Sequence, residues 1–224
     1  MKQRIFKITA ALLALGIILT LLLLPVMHMH VKVAVSTVEI DFEPTVNAKW
    51  IYNFAKNKET GNTTLDSFLK DNMASGKAWE NLAPIRGKLV IFAAATALCV
   101  LISLAMITLA FVLEQKKGRQ WLLALSAVGL FSAMTSSAAF SSIAAALLNG
   151  GVKLSSLLGL GALSGLVDNF IDLQDLSMGS AIPWMMGLFT LLLVFVLAFM
   201  GLDLLDERDT KKKKKAAGNK NAKR

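Results

Sequence analysis

The chain has 224 residues, of which 55% are apolar and only 17% are charged, and its mean hydropathy is +0.58. This balance excludes an ordinary soluble protein and predicts an integral membrane protein. The net charge of +9 does not indicate a nucleic-acid partner, because much of it lies in one C-terminal tail. The single cysteine, Cys99, excludes an intramolecular disulfide.

Four segments are apolar enough to cross a bilayer core of about 30 Å, which needs roughly 20 helical residues. None of them contains Asp, Glu, Lys, Arg or His. The predicted transmembrane helices are residues 8–27, 89–113, 121–148 and 181–202. The first is expected to be an uncleaved anchor, because its apolar core is too long for a signal peptide and no small-residue cleavage site follows. We therefore predict an all-α membrane protein, a four-transmembrane-helix bundle.

The basic residues of the short segments predict that both ends of the chain lie in the cytoplasm. The N-terminus, residues 1–7, the connection 114–120 and the tail 203–224 are rich in Lys or Arg. The connections 28–88 and 149–180 are balanced or acidic, so we expect them to form two extracytoplasmic loops. The expected protein is a multi-pass component of the plasma (cytoplasmic) membrane.

The first outer loop, residues 28–88, is expected to form a small mixed α/β domain. The β-branched stretch 31–42 predicts a strand that ends before Pro44. Two helical patches are expected at residues 50–56 and 64–71. Such a small domain without a disulfide is marginal alone, so it is expected to rest on the membrane, the other outer loop or a partner.

The start of this loop, Met27-His28-Met29-His30, is a compact group of potential metal ligands. Thioether and imidazole groups suit soft copper ions, and alternate residues of an extended segment point to the same side. His28 and His30 are therefore candidate metal ligands. The alternative is an ordinary interfacial boundary, because a four-residue match is weak. No other cofactor is expected.

The second outer loop is predicted to have two parts. Residues 154–167 are small or apolar but too few to span, which predicts an interfacial or re-entrant segment before the last span. Asp168, Asp172 and Asp175 follow at positions i, i+4 and i+7, a spacing that predicts one acidic face of an amphipathic helix. A solvated face, cation capture and docking of a basic partner are the possible roles of these carboxylates.

The third predicted span carries a small residue at every fourth position. Small residues at this spacing let helix backbones approach closely. The stripe consists of Gly129, Ala133, Ser137 and Ser141. It predicts that this is the most buried helix, either central in the bundle or at an oligomer seam. A serine-lined pore is the alternative.

A run of five lysines follows the last span. The run consists of Lys211, Lys212, Lys213, Lys214 and Lys215. It is expected to attract anionic lipids of the inner leaflet, at up to roughly 1 kcal/mol for each lysine. A topology determinant within a disordered tail is the alternative, and the two roles are compatible.

The sequence contains no Walker-type loop, CxxC pair or HExxH motif, which argues against an enzyme. The charge-free spans argue against a secondary transporter acting alone. The leading hypothesis is a non-enzymatic scaffold or assembly subunit whose outer loops contact another membrane protein or a second copy. The alternative is a channel or transporter subunit in which the third span and residues 154–167 line a passage.

Overall fold

The computed structural model describes residues 2–35, 38–42, 45–47, 83–112, 115–148 and 171–221. The described residues form four long helices, α1 (Lys2–Leu23), α2 (Ala83–Val112), α3 (Gln115–Leu148) and α4 (Ala181–Asn221). They also form four strands, β1 (Met27–Val35), β2 (Val38–Phe42), β3 (Thr45–Val46) and β4 (Ile171–Met178). Each helix contains a segment long and apolar enough to cross a membrane, which confirms the four predicted spans.

The helices are longer than the apolar runs that predict them. Their membrane-spanning parts are Gln3–Leu23, Ile85–Val112, Lys117–Leu148 and Ala181–Leu205. The first helix stops at Leu23 instead of residue 27, because Pro25 has no N–H to continue it and disfavours a helical Leu24. The last helix continues past its span through the lysine run to Asn221.

Each helix buries one stripe of side chains. In α3 the stripe advances by alternating steps of four and three residues, and in α4 by steps of three and four. The α3 stripe is Leu122, Ser126, Gly129, Ala133, Ser136, Phe140 and Ile143, and the α4 stripe is Ile182, Met185, Phe189, Leu192 and Val196. A seven-residue repeat of this kind is typical of left-handed helix bundles.

The four helices pack as a closed ring. α1 packs against α2 and α4, and α3 packs against the same two helices. The interior is filled by Ile17, Met106, Leu122 and Phe189, one from each helix, which are all almost fully buried. Burying each such side chain contributes about 1.5–3 kcal/mol in a water-based reference, and close packing provides most of the attraction inside a bilayer.

The prediction that the third span is the most buried helix depends on the length compared, because over the whole described spans α3 has the largest share of buried residues. In the most apolar 18 residues of each span, 39% are buried in α1 and 33% in α3. Every helix occupies a corner of the ring and exposes one side, and the prediction for the third span stays a prediction.

The outer sides of the helices are apolar. Each helix has large apolar side chains that are more than half exposed, for example Leu12, Leu101, Phe131 and Leu191, one from each helix. Apolar surface of this extent would aggregate in water, whereas acyl chains cover it in a membrane. Two exposed tryptophans, Trp121 and Trp184, lie near opposite ends of the bundle, as expected for side chains at the two membrane interfaces.

One end of the bundle, here the sheet end, carries a four-stranded antiparallel sheet. β1 is its central strand and continues directly from the chain that leaves α1. One edge of β1 pairs with β2, from Val31↔Phe42 to Val35↔Val38, and with β3. Its other edge pairs with β4, from Met27↔Met178 to Val33↔Ile171. The predicted strand 31–42 is therefore a pair of strands, while the patches at 50–56 and 64–71 lie outside the described residues.

The predicted amphipathic helix is wrong for residues 171–178, which form β4. Apolar and polar residues alternate along β4, as in a strand, except at one extra residue, Gln174. A β-bulge opposite His30 and Val31 accommodates this residue. The extra residue created the helical spacing of Asp172 and Asp175. Asp168 and residues 154–167 lie outside the described part of the chain.

Candidate functional site

The sheet packs directly on the bundle. Leu176 of β4 is buried against Phe140 and Ala144 of α3, and Met27 of β1 packs on the same cluster. Because Leu176 is only 5% exposed, its burial contributes about 1.5–3 kcal/mol. The sheet end is therefore a surface fixed to the helices, although its strands come from two loops that are far apart in sequence.

The chain segments that leave α1 and enter α4 are hydrogen-bonded to each other. The Gly179 N–H donates to the Val26 carbonyl at 2.9 Å, and the Ala181 N–H donates to the Pro25 carbonyl at 2.9 Å. A Cβ atom at position 179 would overlap the Pro25 carbonyl group. Glycine is therefore needed here for close approach of two backbones. The contact joins the end of α1 to the beginning of α4.

The two candidate metal ligands lie on alternate residues of β1, as the sequence predicted. His28 is exposed and pairs with Ser177, whereas His30 is half-buried and pairs with Asp175. Among the described residues, no group of three or more His, Cys, Asp or Glu is placed to hold a metal ion. The structure adds the exposed Asp175 beside His30 in the sheet register, and metal binding stays a prediction.

The predicted small-residue stripe of α3 lies only partly on the packing face. Gly129 and Ala133 are buried, Ser137 is half-buried and Ser141 is exposed. A step of four residues overshoots one helical turn by about 40°, so the stripe drifts away from the helix interface. The Ser141 hydroxyl donates to the Ser137 carbonyl within α3. The buried stripe of α3 instead follows alternating steps of four and three residues, which keep it on one side of the helix.

The buried hydroxyls of α3 contact α2. The Ser132 hydroxyl donates to the Ala95 carbonyl at 2.9 Å, and the Ser136 and Thr96 hydroxyls are 2.8 Å apart. Such bonds between membrane helices contribute about 0.6 kcal/mol each. These serines therefore join two helices, and a passage along α3 stays a prediction.

On its other side, α3 packs closely against α4. A Cβ atom at position 129 would overlap the Phe189 ring, so the ring occupies the space that glycine leaves. Phe189 itself is fully buried. The small residues of α3 thus form hydrogen bonds with α2 and pack closely against α4.

At the opposite end of the bundle, here the tail end, a buried arginine joins the helices. Arg119 of α3 is 5% exposed, and its Nη1 forms an ion pair with Asp203 of α4. Its guanidinium carbon lies 4.9 Å from the centre of the Phe6 ring of α1 and 5.8 Å from that of Phe199 of α4. Cation–π contacts of this kind contribute about 0.5–2 kcal/mol.

The aromatic rings around Arg119 also contact one another. Phe6 stacks on Phe195 with ring centres 5.5 Å apart, and Phe199 lies 5.1 Å from Phe6 in a tilted arrangement. Off-centre and tilted aromatic pairs are each worth about 0.5–1.5 kcal/mol beyond their burial. The cluster closes the tail end between α1 and α4.

A cleft opens beside this cluster between α1, α2 and α3. It is a shallow, open depression whose enclosed part has room for about one water molecule. Its walls are formed by Gln3, Phe6, Lys7, Leu109, Ala110, Gly118, Arg119 and Leu122. The Lys7 ammonium donates to the Phe111 carbonyl at 3.3 Å, in the last turn of α2. A cation at this position is favourable because the carbonyls of a last turn carry partial negative charge.

The sequence did not single out Arg119 as a site residue. It placed this residue in a solvated connection, 114–120, because charged residues mark the ends of spans. Its burial depends on Phe6, Phe199 and Asp203, which are remote in sequence and become neighbours only in the folded bundle. The tail lysines Lys211–Lys215 lie on the helical extension of α4, and their side chains lie outside the description.

Comparison with known proteins identifies neither the sheet end nor the tail end. No protein-family model, curated protein or solved structure matches the chain.

Proposed function

We propose that this chain is a non-enzymatic scaffold or assembly subunit of the plasma membrane, and that its sheet end binds another membrane protein or a second copy. The observation that supports this proposal is the union of the two outer loops in one antiparallel sheet, fixed to α1, α3 and α4. A surface ordered before binding loses little conformational entropy when a partner binds. Such a surface suits recognition of a protein.

In the proposed orientation the sheet end is extracytoplasmic, and both chain termini are cytoplasmic. The basic residues at the tail end support this orientation, because short cytoplasmic segments are enriched in Lys and Arg. Lys211–Lys215 continue α4 beyond the membrane. Five consecutive helical positions, about 100° apart, distribute positive charge around the whole helix. We propose that this charge attracts anionic lipids of the inner leaflet.

The test is the composition of the complex that gentle detergent extracts from the native membrane. The expected result is a stoichiometric membrane-protein partner or a defined oligomer of this chain. A monomer without any companion would contradict the proposal. The number of copies follows from light scattering corrected for detergent.

A matched pair of glycine variants assigns the binding to the sheet end. Gly179→Ala forces a Cβ atom against the Pro25 carbonyl and displaces the root of the sheet, whereas Gly187→Ala adds a methyl group where no neighbouring atom lies within 4 Å. Loss of the companion is expected only for Gly179→Ala. Equal retention by both variants, at equal expression and insertion, would place the interaction elsewhere.

A further inference from the structure

The cleft at the tail end combines two cations with apolar walls. Lys7 lies at α1 and Arg119 at α3, and the half-buried Leu109 of α2 is among the apolar residues that line the cleft. We propose that this cleft is a binding site for a phosphate group, and that the phosphate belongs to the headgroup of an anionic membrane lipid. The site is separate from the lysine run, which lies on the extension of α4 beyond its span.

Arg119 provides the first argument, because it has an unused buried donor. Its Nε and Nη1 atoms are buried and have no hydrogen-bond partner among the described residues, although Nη1 lies in the ion pair with Asp203. Buried donors are nearly always paired in folded proteins, and a guanidinium has five N–H groups. The ion pair with Asp203 engages Nη1 and leaves Nε to another acceptor. A phosphate oxygen is a strong acceptor whose charge matches that of arginine.

Lys7 provides the second argument, because it is a half-exposed cation on the wall of the same cleft. Its bond to the Phe111 carbonyl engages one of the three N–H donors of an ammonium group. The other donors allow Lys7 to bind a phosphate oxygen at the mouth of the cleft while it keeps this bond. Arg119 then binds deeper and Lys7 binds at the surface.

The location of the cleft identifies a lipid as the source of the phosphate. The spans begin at Gln3 in α1 and at Lys117 in α3, so the cleft lies where a bilayer changes from acyl chains to headgroups. Apolar walls suit the first carbons of a lipid better than they suit a hydrated free ion. Exposed Leu12 and Leu101 lie farther along α1 and α2, where acyl chains would continue.

The experiment uses the full chain in phosphatidylcholine nanodiscs that contain a small fraction of phosphatidylglycerol. Native mass spectrometry after release measures how much phosphatidylglycerol each variant retains. Lys7→Gln and Arg119→Lys are each expected to weaken this retention about tenfold, as the loss of a charged hydrogen bond predicts. The matched control is Lys117→Gln, which removes an exposed cation outside the cleft and is expected to have little effect.

Thermal unfolding in phosphatidylcholine alone separates binding from folding. If Arg119→Lys lowers the melting temperature, lipid retention by Lys7→Gln becomes the deciding measurement. Lys7 is half-exposed, so this variant is expected to stay folded. Equal loss of lipid in Lys7→Gln and Lys117→Gln would show general surface attraction and would overturn the site.

A second arm adds inorganic phosphate or sodium chloride at millimolar to molar concentrations. If phosphatidylglycerol is retained in the presence of either salt, the result supports a buried lipid site, because salt screens exposed charges more strongly than buried ones. Displacement by inorganic phosphate, but not by the chloride salt at equal ionic strength, would show a free-anion site and overturn the assignment to lipid.

Discussion

The two ends of this bundle are closed by different kinds of interaction. At the sheet end, backbone hydrogen bonds and one close glycine contact join strands from two distant loops. At the tail end, a single buried cation lies among aromatic rings and an exposed carboxylate. The first closure rests mainly on backbone groups, while the second depends on one charged side chain and its surroundings.

This difference separates the two proposals, protein binding at the sheet end and lipid binding at the tail end. A sheet that is ordered before binding loses little conformational entropy, which suits the proposed binding of a protein partner. A buried cation with an unused donor responds to anions that reach it, because charged hydrogen bonds strengthen where water is scarce. The following predictions test whether the two ends differ in this way.

The largest expected effect comes from locking the sheet end. In a Cys99→Ala background, His28→Cys with Ser177→Cys should form a disulfide, because paired antiparallel residues lie about 4.5–5.5 Å apart. It should stabilise the protein by about 3 kcal/mol. Gel mobility with and without reductant measures the bond. His30→Cys with Ser177→Cys is out of register and should crosslink much less; equal crosslinking would contradict this sheet register.

The second effect comes from breaking the root of the sheet. Gly179→Ala should destabilise the protein by about 2 kcal/mol, because its Cβ atom meets backbone that must shift. Unfolding in SDS, followed by circular dichroism, measures the change. Gly187→Ala should be neutral or slightly stabilising, since alanine favours a helix by about 1 kcal/mol over glycine. Similar losses in both variants would mean that glycine at 179 has no special role.

The third effect tests the tail end. Arg119→Gln should cost about 1–2 kcal/mol through lost cation–π contacts, with only a small part from the ion pair because Asp203 is 54% exposed and screened by water. Lys117→Gln, two residues away and exposed, should change the free energy of unfolding by less than about 0.5 kcal/mol. SDS titration compares both with the wild type. A larger cost for Lys117→Gln would contradict the buried role of Arg119.

The smallest effect concerns the bundle between the two ends. Thr96→Val removes the hydroxyl contact with Ser136 and should cost about 0.6 kcal/mol. Thr108→Val is the matched control, because the exposed Thr108 hydroxyl bonds only within α2 to the Leu104 carbonyl. A double-mutant cycle with Ser136→Ala isolates the contact. Additive losses would show that the two hydroxyls are not coupled.

The candidate residues were predictable to different degrees. The alternation of His28 and His30 was visible because a strand repeats every two residues. The packing role of Gly129 and Ala133 was visible because small residues at helical spacing are a local signal. Ser137 and Ser141 lie off the packing face within this bundle, because steps of four residues drift around a helix. Arg119 could not be found, since its partners are contributed by other helices.

The sequence by itself determined the four membrane spans, because length and hydropathy are local properties that a bilayer selects directly. It also determined a strand soon after the first span. Only the tertiary structure decided that residues 171–178 form a strand, since Asp172 and Asp175 fit a helix until a bulge and a partner strand are present. It likewise decided that Arg119 is buried, because only the folded bundle brings Phe6, Phe199 and Asp203 around one guanidinium.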